Sequence, residues 1–168
     1  MTTEQTSAPP QPAPEPSDAL LRRFFETSET ARKASSSLKK AAEVSVRFTD
    51  VPGDFRFLVS EGKPKFLSGK AVDPDFDLTL APGAVRAIAG RPDAEVGELG
   101  IAFFQHILAK EPENKITVKL HSGLMKLTMR GYLGVLAQGG GKVIGWMAQK
   151  GLKGPSAVAR AISKLRKG

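Results

Sequence analysis

Residues 43–63 read EVSVRFTDVPGDFRFLVSEGK, and this stretch decides the fold. Val44, Val46 and Phe48 alternate with Ser45, Arg47 and Thr49, the period of a strand with one buried and one wetted face. Val51-Pro52-Gly53-Asp54 has the composition of a turn. Phe55, Phe57 and Val59 then alternate as a second strand, closed by Glu61-Gly62-Lys63-Pro64. Strands joined by short turns lie side by side and antiparallel.

Further along the chain, Phe66 and Leu67 predict a short third strand, and Phe76, Leu78 and Leu80 a fourth. Ile116, Val118 and Leu120 alternate with Thr117, Lys119 and His121. After a Ser122-Gly123 turn, Met125, Leu127 and Met129 alternate with Lys126, Thr128 and Arg130, so these two runs predict a β-hairpin.

The remaining segments carry helical spacing. Ser17 is placed to cap a helix starting at Asp18, whose carboxylate suits the positive end of the dipole. Leu21, Phe24, Phe25, Ala31 and Leu38 continue its apolar side, with a break expected at Ser35–Ser37. Pro82 opens a helix that stops at Gly90, and a longer one runs from Glu95 to Lys110 before Pro112. Apolar helical pieces follow at Tyr132–Ala137, Val143–Lys150 and Ser156–Lys167. Antiparallel strands with helices between and after them make an α+β domain, with a mainly antiparallel sheet covered by helices.

Composition sets the organisation. Residues 1–17 are rich in Pro and hold no large apolar side chain beyond Met1, so a disordered tail is expected there. The folded domain is expected over 18–152, with a basic amphipathic helix over 153–168. The N-terminus shows neither the basic nor the apolar region of a secretory leader, and no run of about eighteen apolar residues occurs. Cysteine is absent, which removes disulfides, thiolate catalysis and cysteine metal sites and agrees with a reducing compartment. The expected location is cytoplasmic.

Charge is uneven. All 17 acidic residues fall in 1–113, whereas 114–168 carries 11 of the 25 Lys and Arg and no acid. Such a block either faces an anionic partner or forms a solvated basic surface.

Little in the sequence suggests reaction chemistry. His106 and His121 have no partner at metal-ligand or triad spacing, and both project to the polar side of their elements. Gly139-Gly140-Gly141-Lys142 suggests a phosphate loop, but Leu136 stands where Gly is needed and Val143 where Ser or Thr is needed. It reads as a flexible joint. Asp73, Asp75 and Asp77 lack the Gly and distant Glu of a calcium loop and read as polar residues at a strand's entrance. No enzyme, metal or cofactor is expected.

The informative excess is apolar. The Glu95–Lys110 helix spreads Val96, Leu99, Ile101, Phe103, Phe104, Ile107 and Leu108 over about 200° of its circumference, where one-sided packing needs about 100°. Either the helix is sandwiched, or its second face lines a cavity. Ile101, Phe104 and Leu108 are the candidate lining on that helix, with Leu133, Leu136, Trp146 and Met147 from the C-terminal helices.

In order, these elements resemble the sterol carrier protein type 2 family over roughly Leu20 to Leu152. The strands VSVRF and FRFLVSEGK, the segment DFDLTLAPGAVRAIAG and the run LMKLTMRG with YLGVL carry the resemblance. KITVKLHSG is additional or displaced, and the basic C-terminus is longer than the pattern requires. The resemblance implies a five-stranded sheet covered by helices, and an apolar tunnel that takes a sterol, fatty acyl chain, phospholipid or isoprenoid without catalysis. A scaffolding protein docking a partner through its apolar C-terminal helices is the alternative. Nucleic-acid binding is not expected, because Tyr132 and Trp146 are the only Tyr and Trp and neither sits in a basic stacking strand. Arg160, Lys164 and Lys167 flank the apolar side of the last helix, which either docks on the domain or adsorbs to anionic membrane.

Overall fold

The computed structural model describes residues 13–151. The predicted last helix, with Arg160, Lys164 and Lys167, and most of the predicted tail lie outside the described residues.

Period-two segments form the strands β1 (Glu43–Phe48), β2 (Phe55–Ser60), β3 (Lys63–Ser68), β4 (Phe76–Leu80) and β5 (Ile116–Leu120). They make one sheet in the order β3-β2-β1-β4-β5. The sheet is mixed, not mainly antiparallel, because β4 runs parallel to β1. β3 finishes on the sheet edge, and residues 69–75 carry the chain back to the free side of β1. Alternation gives each strand its faces but no direction, so the sequence could not reveal this step.

Register gathers the apolar residues on one face. Val44 sits between Phe57 and Phe76, and Leu78 between Val46 and Val118. Arg47, Lys65, Thr117 and Lys119 point the other way and are exposed. The helices cover the apolar face: Leu20, Leu21 and Phe24 of α1 (Ser17–Thr27), Ala31 of α2 (Glu29–Ser35), and Ala84, Val85 and Ala89 of α3 (Pro82–Ala89) join the strand residues in one core.

Three helical expectations shift. Pro16, not Ser17, caps α1; Ser17 is its first residue, is buried, and donates its hydroxyl to Asp50 at 2.7 Å. The long helix already breaks at Ser28, whose Oγ accepts from Ala31 N at 3.2 Å and donates to the Pro92 carbonyl at 2.7 Å. A serine that satisfies the backbone from its side chain starts a new helix as readily as it continues the old one. The helix α4 (Val96–Ile107) ends three residues before Lys110, and Glu95 with Glu98 forms a capping box at its start.

The largest correction concerns 124–129, predicted as the second strand of a hairpin with β5. It is a helix, α5 (Leu124–Met129), followed by α6 (Tyr132–Gln138) and α7 (Gly140–Gln149). In a run this short, alternation is ambiguous: residues 125 and 129 share one helical face and 127 lies nearly opposite. Leu, Met and Lys favour helix, and that preference prevails although the outer edge of β5 is left free. The fifth strand is therefore ITVKL at 116–120. Gly131, at φ 91°, joins α5 to α6 against the Ser37 loop, and a Cβ there would lie 1.9 Å from the Ser37 carbonyl oxygen.

Candidate functional site: an apolar cavity under a helical roof

Between the sheet and its helices lies a cavity of about 420 Å³. Its floor is Val44, Val46, Phe57, Phe76, Leu78 and Val118, and its roof includes Phe25, Leu99, Phe103, Phe104, Leu127 and Leu136. The volume falls within the range of small-molecule pockets, roughly 300–1,000 Å³.

The wall offers a ligand almost nothing polar. Thr30 gives its hydroxyl proton to the Ala94 carbonyl, Ser35 to the Ala31 carbonyl, and Tyr132 to Asp75, each at 2.7 Å. With those donors committed, the lining is in effect hydrocarbon. A buried carboxylate or phosphate there would lose its hydration with no replacement, at a cost of several kcal/mol.

Helix α4 explains both the cavity and its own wide apolar arc. Gly97 and Gly100 face α7: a Cβ on Gly97 would lie 2.7 Å from the Gly139 carbonyl oxygen, and one on Gly100 would lie 3.2 Å from Val143 Cγ2. Leu99, Phe103 and Ile107 face the cavity. The helix is thus both packed against a neighbour and lining a hollow. The predicted loop at Gly139–Lys142 is a close helix contact followed by the first turn of α7.

A polar cluster stands behind the cavity wall at Tyr132. Asp75 is fully buried and accepts from Ser122 Oγ at 2.9 Å, Tyr132 OH at 2.7 Å, Glu43 N at 3.2 Å and the Arg130 guanidinium. Arg130 also donates to Asp73 at 2.9 Å, a bond that raises the guanidinium's pKa and lowers that of Asp73. Burial, reinforced by the bond to Asp75, pushes the Tyr132 phenol far above its ordinary range, so it stays a neutral donor. Asp75 ties the starts of β1 and β4 to the end of β5 and to α6, which is more than polar residues at a strand's entrance do. The sequence signal for it was faint: an acidic residue preceding a strand, with its partners between 32 and 57 residues away.

The predicted lining residues separate. Phe104 and Leu136 line the cavity. Ile101, Leu108, Leu133, Trp146 and Met147 are not among its wall residues. Leu108 and Leu133 are exposed, whereas Met147 is buried within the helical layer. Trp146 stacks on Phe104 at 6.2 Å, behind the wall. Most of the floor and the α1–α2 side of the roof, including Phe25, Ala34 and Leu38, came only with the fold.

Both histidines stand away from the cavity lining. His106 is half-buried rather than on the open polar side, and its Nδ1–H donates to the Asn114 carbonyl at 2.6 Å. His121 pairs with Asp77 at 2.8 Å beside the outer sheet face. Among the described residues no group of three or more His, Cys, Asp or Glu is placed to hold a metal. No described helix is long and apolar enough to cross a membrane.

A second hollow of about 450 Å³, lined by Lys33, Asp93, Glu95, Gln138 and Lys142, lies beside the start of α4 and shares Thr30, Val96 and Gly139 with the cavity. Lys142 and Glu95 neutralise each other there at 2.6 Å.

The chain matches no family model and no curated protein. Among solved structures it is similar to a UbiJ-SCP2 ubiquinone synthesis protein, at 15% identity and a TM-score of 0.39, over 72% of this chain and 90% of that one.

Proposed function

We propose that this chain binds and carries a hydrophobic small molecule, holding its hydrocarbon part in the cavity between sheet and helices, and performs no reaction on it. The carrying observation is the cavity itself: about 420 Å³ walled by aliphatic and aromatic side chains, with the hydroxyls in its wall bonded to the protein. Each methylene moved from water into such a wall contributes about 0.8 kcal/mol, so affinity grows with chain length and needs no polar anchor. The order of the elements supports a sterol-carrier-like domain, and acyl chains, sterols and isoprenoids all satisfy the wall's chemistry. A cytoplasmic carrier fits the cysteine-free composition.

The test is native mass spectrometry of the purified full chain together with titration of a fluorescent fatty acid. The expected result is a co-purifying lipid mass or saturable, displaceable probe binding. A chain that shows neither, while cooperatively folded, holds no such ligand, and the cavity is then a packing defect.

A further inference from the structure

We propose that the outward face of α5 is a docking surface for an anionic lipid bilayer. This short helix has two unlike sides. Leu127 points inward, is buried and lines the cavity. Met125 and Met129, one helical turn apart on the opposite side, are 78% and 72% exposed, and Leu124 is 44% exposed. Val72, 83% exposed, directly precedes Asp73, which Lys126 holds at 3.6 Å and Arg130 at 2.9 Å. Large apolar side chains gathered at such exposure face something other than water.

Charge decides what that is. The three helices α5, α6 and α7 contain Lys126 and Lys142 and no acidic residue. Lys126 follows Met125 in the helix, and Lys39 abuts its end through an N–H bond to the Arg130 carbonyl at 2.9 Å; Lys40 is next to Lys39 in the chain, and Lys70 precedes Val72 by two residues. Lys39, Lys40 and Lys70 have no carboxylate within 4 Å among the described residues. Of the acids nearby, Asp73 is paired with two cations, and the Glu43 carboxylate accepts the Val72 N–H at 2.6 Å. Flexible thioethers on a helix that carries lysine and no acid suit an interface whose outer layer is anionic and whose inner layer is hydrocarbon. Docked this way, one helix thickness separates bilayer from cavity. Docking itself does not depend on what the cavity holds; passage of a ligand past α5 rests on the carrier reading above.

The experiment is co-sedimentation of the full chain with vesicles of phosphatidylcholine alone or with one third phosphatidylglycerol. The full chain is expected to bind the phosphatidylglycerol vesicles, less so at high salt as the charges are screened. Met125→Glu with Met129→Glu is expected to weaken that binding by about tenfold, and so is Lys39→Glu with Lys70→Glu, which alters only exposed positions. Uptake of the fluorescent fatty acid from solution stays unchanged in both variants, which separates this proposal from the carrier reading. Three results overturn it: equal vesicle binding by wild type and the methionine variant, binding lost only on truncation after Gly154, or no vesicle binding with self-association abolished by the methionine variant.

Discussion

The two ends of the sheet share one apolar face yet are filled differently. At the β2–β3 end, Phe55 and Phe66 stack at 5.6 Å with planes 8° apart, and Phe48 meets Phe55 edge-on at 5.2 Å. Helix α1 lowers Phe25 onto them, 4.8 Å from Phe57 and 6.2 Å from Phe66, and Phe25 and Phe57 mark where this filled end meets the cavity. At the β4–β5 end, Phe76, Leu78 and Val118 are only half-buried and border the cavity. The difference lies in the roof. Helix α1 rests on the strands through aromatic side chains, whereas α4 has its glycine face against α7 and lowers only part of its surface toward β4 and β5. A hollow here follows from how the roof is anchored, since the floor is as apolar at this end as at the other.

Removing a side chain from the filled end gives the largest effect. Phe66→Ala leaves a void that its stacked neighbour Phe55 and edge-on neighbour Phe48 cannot close, and the expected loss is about 3–5 kcal/mol, read by urea unfolding. A loss below about 1 kcal/mol would mean that this end is as loosely filled as the other. Enlarging a side chain at the hollow end gives the opposite result. Leu78→Phe adds bulk into the cavity, so stability is expected to change by no more than about 1 kcal/mol, where the same addition to a packed core costs about 1–3 kcal/mol. Fluorescent fatty acid binding should fall sharply in the same variant.

Phe104→Ala sharpens the comparison at a single residue. Phe104 borders the cavity on one side and Trp146 on the other. Truncating it enlarges a space that already exists, so the stability loss should stay below the roughly 3 kcal/mol floor for a close-packed Phe. Affinity for the fluorescent fatty acid should change with it. A full core-sized loss with unchanged uptake would assign Phe104 to packing alone.

What was legible in the sequence follows from these physics. The alternation at 43–48 and 55–60 showed which residues face inward, and Pro82 and Gly90 marked a helix at both ends, because local sterics decide those features. Direction of β4, the helical state of 124–129 and the wall of the cavity depend on pairings across many residues. Phe104 was found because its helix was apolar over too wide an arc. Leu108, on the same arc, passes the last turn of α4 and is 61% exposed, so the wheel placed it on a face that the chain had already left. Phe76 and Leu78 read as ordinary strand residues, since nothing local distinguishes a strand facing a hollow from one facing a packed helix.

The smallest expected effect concerns the clamp that holds α4 to α7. Lys142 donates to Glu95 at 2.6 Å, and the bond lowers the Glu95 pKa below its ordinary 4.5 and raises that of Lys142 above its ordinary 10.5. The signs fix a window. A carboxylate with a lowered folded pKa contributes stability above its unfolded value and loses it as pH falls through the folded one; an ammonium with a raised pKa contributes below its unfolded value and loses it as pH rises. The pair therefore acts in full between about pH 4.5 and 10.5 and fades outside both limits. Both side chains are exposed, 71% for Glu95 and 56% for Lys142, so salt and solvent screen the attraction and its contribution is small. Glu95→Gln removes the charge and keeps the shape. Thermal unfolding of the variant and the wild type should differ slightly at pH 7 and converge as pH falls toward 3. The difference at pH 7 should shrink further in high salt. If the variant instead loses as much at pH 3 as at pH 7, the glutamate acts through its place in the capping box with Glu98, and the glycine contact alone holds the roof over the cavity.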